Sequence, residues 1–448
     1  MIRYNNLRFA LKQFRTLRTL TPQVKAWVES SAFKTQYIDA NHPYPPLLNP
    51  ATIDYESIPA DLAWEWNLPL PPRYDIINIS NGLSASAATL YFFKECNINV
   101  PNGNFKAMYS QLLRQNSSQK TAIFFYFTAF CCDKSNAMHF KYMLHKKVPL
   151  LYIARDPISK IKSLLNHITY RAPHCTRFNL TCNPHNLIPQ ETYMWSGDIK
   201  PSLKILQNPT QFELEWLYAT IACDSILEIF KQNISTIHCI DFNDLNSQKC
   251  GDTFRKLAKK LGFEAPKNLD IFSNRIWNEV YYLLPTTLYV YPSDMEAIEQ
   301  NLDSLQKEGG FEIVITLHSH LSKQQKDFVD ISNEIEQNLI IDGAQILVII
   351  QKDMLFKLQE NKPLYNKIID FLRDYIKAIK NEVKRRKDVI FVEGQVLECL
   401  SQNNEMRKKI KQIFDNELNF LKANHPDIVA SWRYYNEFEK MCNELDLA

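Results

Sequence analysis

Glycine is scarce, 9 in 448 residues, while Asn and Lys are abundant, a bias of genome base composition more than of mechanism. No apolar run reaches the roughly 20 residues that a helical bilayer span requires. The longest, Thr121 to Cys132 and Val148 to Ala154, have the length of core strands. Net charge is nearly absent: 52 Lys plus Arg against 49 Asp plus Glu leave +3, too little for a general nucleic-acid coat, so any anion site must be local. The 10 cysteines contain no CxxC pair and no regular spacing, which reads as free thiols in a reducing cytoplasm. The N-terminus lacks the apolar core of a secretory signal. No GxxxxGK[ST] loop occurs, which disfavours an ordinary ATP-driven kinase. No internal repeat is visible.

What is present is ample core material: 45% hydrophobic and 12% aromatic residues with a mean hydropathy of −0.30. Arg3, Arg8, Lys12, Arg15 and Arg18 alternate with apolar residues, a basic helix able to rest on an anionic membrane or to pack on its own protein. Residues 41–73 are rich in proline and run as an extended arm. Strands at 74–80, 121–130 and 148–154 alternate with helices at 136–147, 211–232 and 250–263. That pattern predicts an α/β fold, a parallel sheet with flanking helices. Two further strands, FEIVITLHSHL and AQILVIIQKDML, and long Lys- and Glu-rich helices follow, so the C-terminal region is mixed and mainly helical. The expected division is an arm at 1–73, a nucleotide-binding domain at 74–270 and a C-terminal region of unassigned role at 275–448.

Arg155-Asp156-Pro157 ends a buried strand and opens a helix carrying Ser163, eight residues past the arginine. Pro suits the first helical turn, and the carboxyl edge of a parallel sheet is where ligands bind. A guanidinium and a hydroxyl so placed can converge on one phosphate. The first strand runs into Ser80-Asn81-Gly82-Leu83-Ser84-Ala85-Ser86, small residues that let backbone amides approach an anion.

These segments resemble sulfotransferases, proteins of P-loop-type fold. VPLLYIARDPISKIKSLLNH is similar to their 3′-phosphate-binding strand and helix. NISNGLSASAATLYFF is similar to their 5′-phosphosulfate loop, and LEIFKQNISTIHCIDFNDLNSQKCGDTFRKLAKKLGF to their closing strand, turn and helix. The resemblance spans about 74–270. It implies a 3′-phosphonucleotide donor held by Ser84, Ser86, Thr89, Arg155 and Ser163, with transfer of a sulfuryl group to a carbohydrate hydroxyl. Ala85 stands where the family's loop carries lysine; Lys134, Arg73 and Lys94 are candidates for the missing charge. The arm and PDIVASWRYYNEFEKM resemble an uncharacterised bacterial family with members assigned to capsule modification, which extends the expectation to phosphoryl-type groups such as phosphoramidate. Asp133, 22 residues before Arg155, is the expected general base, with His139 and then His145 in reserve.

The rival readings are a nucleotide-sugar glycosyltransferase and a degenerate binding or scaffold protein. Expected partners are the nucleotide donor and a carbohydrate acceptor, with peripheral contact to the inner membrane and no nucleic acid. No metal is expected, because His318 and His320 share a strand face without a third ligand. Cys131-Cys132 and Trp195 read as packing, and Lys384-Arg385-Arg386-Lys387 as a solvated helix end.

Overall fold

Apolar runs spaced by amphipathic helices build a parallel sheet whose two faces are both covered. The computed structural model describes residues 18, 20–80, 83–115, 118–126, 133–168, 176–188, 192–267, 269, 272, 280–281, 283–291, 309–318 and 327–446. Strands β1 (Ile76–Ser80), β2 (Ala122–Tyr126), β3 (Val148–Ala154) and, after the short β4 (Arg177–Phe178), β5 (Ile234–Asp241) matter first. They form one sheet in the order β2-β1-β3-β5, every pair parallel. The helices used below are α1 (Ala60–Glu65), α2 (Ser86–Glu95), α3 (Phe105–Arg114), α4 (Lys134–Tyr142), α5 (Pro157–Leu165), α6 (Gln211–Ile221), α7 (Asp224–Phe230) and α8 (Cys250–Leu261). Beyond them come α9 (Lys362–Val389), α10 (Glu393–Gln402), α11 (Asn404–Glu417) and α12 (Arg433–Asp446).

Alternation along the strands sends Ile76, Phe124 and Leu151 to one face, against Phe92 and Phe93 of α2 and Phe254 and Leu257 of α8. Ile77, Ile79, Phe125, Leu150 and Tyr152 face the other side, under α3 to α7 and the C-terminal helices. Burial on both faces is why the strands read as continuous apolar runs. Helix α8 ends where Gly262 takes φ +72, a left-handed cap that frees a side-chain-bearing residue from strain.

A second layer follows. Strands β6 (Thr286–Val290), β7 (Phe311–Leu317), β8 (Phe328–Asp330), β9 (Ile340–Ile341) and β10 (Ala344–Gln351) join β4 in the order β4-β6-β7-β10-β8, with β9 on β10. Only the β4–β6 pair is parallel. Helix α9 covers this sheet through Leu364, Ile368, Leu372, Tyr375 and Ile379. The chain interleaves the layers. Phe178 and Leu180, from within 74–270, bury in the second core. Val396, Leu400, Phe414, Trp432 and Phe438, from within 275–448, bury in the first.

The Pro-rich arm wraps the first core through Leu48, Ile58, Trp64, Leu68 and Leu70. The basic run at 384–387 is not a solvated helix end: Arg386 is fully buried, Arg385 and Arg386 both pair with Glu382 at 2.7 and 2.9 Å, and Lys387 pairs with Asp342. Glu382 pairs both guanidiniums within α9, as a buried guanidinium requires, while Lys387 to Asp342 and Arg385 Nη1 to the Ile199 carbonyl at 3.0 Å tie the helix to its surroundings. Among the described residues no helix is long and apolar enough to cross a membrane. The basic N-terminal stretch lies outside the described residues except for Arg18, as do Asn81, Gly82, Cys131, Cys132 and His320.

Candidate functional site

Strand order places a crevice before any side chain is considered. From β1 the chain crosses to β2 on one flank, and from β3 to β5 on the other, so the carboxyl ends of the adjacent β1 and β3 form a topological switch point. The loop after β1 and the Arg155-Asp156 turn after β3 meet there. Arg155 Nη1 donates to the carbonyl of Leu83, and its guanidinium lies 4.2 Å from the Phe242 ring centroid, just past β5. Three strand tips thus converge on one cation. Burial pulls the Arg155 guanidinium down to about 10, with Glu393 and Asp156 holding it up, so it stays charged at neutral pH.

The loop itself is strained. Leu83 and Ala85 both sit at φ +58, a left-handed conformation that costs a side-chain-bearing residue about 1 kcal/mol or more. Ala85 is the N-cap of α2 and supplies no side-chain acceptor to the first-turn amides. Ser84 is buried at 1% exposure and its hydroxyl has no hydrogen-bond partner; the side-chain amide of Asn78, on β1, is likewise buried and unpartnered. Strained backbone, an uncapped helix start and an unpartnered buried hydroxyl leave donors here that an anion can satisfy. Thr89 is fully buried, and its hydroxyl donates to the Ala85 carbonyl at 2.9 Å, bracing the turn from behind.

Asp156, expected only as part of a motif, proves to be a joint. Its Oδ1 accepts the amides of Ile158 and Ser159 at 2.9 and 3.3 Å, capping α5, while Oδ2 accepts those of Tyr434 and Tyr435 at 3.0 and 3.2 Å, capping α12. Burial raises its carboxyl above the usual range despite these four donors. Ser163 is half-buried on α5, one turn beyond Ser159. Lys160, on the same helix, was missed by sequence reasoning. It is 3% exposed, its ammonium lies 5.9 Å from the Tyr152 ring, and burial pulls it down to about 8. Its signal was available: Lys160 occupies the same helical face as Pro157, Ile161 and Leu164, the apolar stripe.

Asp133 sits at the N-cap of α4 without capping it; its Oδ2 accepts from Asn136 Nδ2 at 3.1 Å. The adjoining Lys134 lines a cleft of about 700 Å³ between α4, α6, α7 and α11, with Gln211, Tyr218, Ser225 and Gln412 on its walls. Arg73 precedes β1 at the opposite edge of the sheet and donates to the Gln115 carbonyl at 2.7 Å, and Lys94 lies about 12 Å along α2 from Ser86. Neither replaces a loop lysine. His139, on α4, is engaged by the arm: its Nε2 is 2.7 Å from Asn67 Oδ1, and its ring packs on Tyr44 and Trp64 at 4.6 and 4.4 Å. We assign it a structural role. Among the described residues no three His, Cys, Asp or Glu side chains gather as a metal site.

His139 and His42 share a consequence. Burial lowers both imidazoles below their usual range, and His42 Nδ1 accepts the Tyr44 amide at 3.1 Å, a bond that the neutral ring alone can make. A depressed folded pKa contributes stability that is complete above about 6.5 and is lost as pH falls through the folded value. Urea midpoints are therefore expected to fall between pH 7 and 5, with a shallower fall in His139→Gln; equal slopes would refute the assignment.

Residues 239–445 match the model of a family described as Protein of unknown function (DUF2972). The match opens inside β5 and takes in α8, most of the second layer and the C-terminal helices, but neither Arg155 nor the loop after β1. No curated protein matches the chain, and no solved structure does.

Proposed function

We propose that the chain is a sulfotransferase-like group transferase of P-loop type. It would move a sulfuryl or related phosphoryl-type group, such as phosphoramidate, from a 3′-phosphonucleotide to a carbohydrate hydroxyl in surface-polysaccharide modification. The setting proposed is the cytoplasm, with the N-terminal basic stretch touching the inner membrane face. The observation that carries this reading is the contact between the Arg155 guanidinium and the Leu83 carbonyl at the switch point, beside the unpartnered Ser84 hydroxyl and the uncapped start of α2. It supports two anion subsites at neighbouring strand tips, as a nucleoside with phosphates at both ends needs.

In the chemistry proposed, the acceptor oxygen attacks the sulfur or phosphorus in line, its proton passing to Asp133, while the bond to the bridging oxygen breaks and the 3′,5′-bisphosphate leaves. First-turn amides of α2 would take the charge that develops on the leaving oxygen, work a loop lysine does in the resembling family, while Arg155 and Ser163 hold the 3′-phosphate. The cleft lined by Lys134, the residue next to Asp133, would receive the acceptor.

Calorimetry with adenosine and cytidine 3′,5′-bisphosphates tests the reading. Binding of one is expected, weakened about 30- to 100-fold in Arg155→Ala, the loss of a charge-assisted contact of about 2–3 kcal/mol. Binding of a sugar diphosphonucleotide that survives Arg155→Ala would favour glycosyl transfer. No binding of either bisphosphate by folded protein would favour a scaffold.

A further inference from the structure

The face of α5 next to Arg155 already holds an anion. Glu393, at the first position of α10, accepts the Ser159 hydroxyl on Oε1 at 3.0 Å and pairs with Lys162 Nζ at 3.3 Å. Burial alone would raise its carboxyl, yet the Lys162 ammonium and the Ser159 hydroxyl hold it below the usual carboxylate range. Arg155 feels the same charge. Ser159 and Ser163 are one helical turn apart and share that face of the helix.

The carboxylate is delivered by a strap. Asn166, closing α5, clamps Phe391 at two points: its Nδ2 donates to the Phe391 carbonyl at 2.8 Å, and its Oδ1 accepts the Phe391 amide at 2.9 Å. Val392 between clamp and carboxylate is 56% exposed, and no side chain caps the start of α10 beyond the Gln395 side chain accepting the Val392 amide at 3.0 Å. The backbone on either side of Glu393 is therefore held, by Asn166 at Phe391 and by the first turn of α10 at Val392, and only the Glu393 side chain has to turn for its carboxylate to leave Ser159 and Lys162.

We propose that Glu393 is an internal competitor for the donor's 3′-phosphate, seated on Ser159 and Lys162 until the phosphate displaces it. This rests on the transferase reading above. A phosphate dianion offers more charge and more acceptors to Arg155, Ser159, Lys162 and Ser163 than a carboxylate does, so exchange favours the ligand. Two anions cannot share these partners without repulsion, so the Glu393 carboxylate must swing off Ser159 and Lys162 as the nucleotide enters. Its seat then determines specificity: nucleotides lacking a 3′-phosphate have nothing with which to drive it off.

Calorimetry on the full chain with adenosine 3′,5′-bisphosphate, its cytidine counterpart and the matching 5′-monophosphates tests the idea in wild type, Glu393→Gln and Glu393→Asp. Expected is at least a tenfold tighter bisphosphate in Glu393→Gln, a smaller gain in Glu393→Asp, and unchanged 5′-monophosphate. Thermal melts check that the variants fold; should Glu393→Gln not fold, Glu393→Asp alone decides, through gain or no gain. A bisphosphate affinity that is unchanged or weaker, or a gain equal for the bisphosphate and its 5′-monophosphate, overturns the competitor role and leaves the transferase reading standing on the Arg155→Ala result. Absence of bisphosphate binding in wild type and both variants removes the transferase reading and this proposal with it.

Discussion

Asp156→Ala is expected to destabilise the protein by about 4 kcal/mol. An N-cap is worth about 1 kcal/mol, and this carboxylate caps two helices distant in sequence, α5 and α12. Removing it also leaves the amide of buried Tyr435 without its acceptor, which adds about 1–3 kcal/mol. Asp156→Asn should fall between, because one amide oxygen can still accept while its NH2 group faces donors. Urea unfolding measures the loss, and hydrogen exchange should show the first turn of α12 opening before the β1–β3 ladder. A loss below about 1 kcal/mol would mean that water replaces the carboxylate and that the joint is incidental.

A second large effect is expected at Glu417, which is 3% exposed. Its Oε2 accepts the amides of Cys223 and Ser225 at 3.0 and 3.1 Å, where α7 begins without a side-chain cap of its own. Its Oε1 accepts the hydroxyls of Tyr218 and Ser225, each at 2.5 Å. Asp224 returns the favour, accepting the amides of Asn419 and Phe420 at 3.0 and 3.1 Å, so the two segments cap each other. Glu417→Ala strands several buried donors at once and should cost about 4 kcal/mol; Glu417→Gln keeps one acceptor and should cost roughly half. Wild-type stability in Glu417→Gln beside a large loss in Glu417→Ala would show that volume, not the second acceptor, decides the site.

The parallel sheet was legible because buried strands such as VPLLYIA and AIFFY have no alternation to confuse them, and because Gly262 and Asp156-Pro157 mark helix ends chemically. Helix 211–232 was read as one; it breaks at Ala222-Cys223, where Glu417 supplies the cap from nearly 200 residues away, a contact no local pattern announces. TTLYV escaped as a strand because five residues after Pro285 carry little periodic signal. At the site, Arg155 and the loop after β1 could be paired from their strand-end positions. Glu393 could not, since a glutamate opening a helix normally serves the helix dipole alone. The 384–387 cluster was misread for a related reason: burial of Arg386 depends on Glu382 and on packing against the rest of the fold, which charge density along one helix does not report.

The interleaved chain constrains when the site can exist. The face of the first sheet that bears α5 is closed by Val396, Leu400, Phe414, Trp432 and Phe438, all translated after residue 390. A nascent chain that has just delivered β5 to the tunnel exit therefore carries four paired strands with one wall missing, and Asp156 waits for half of its amides. Chaperone occupancy during synthesis should persist until α12 emerges.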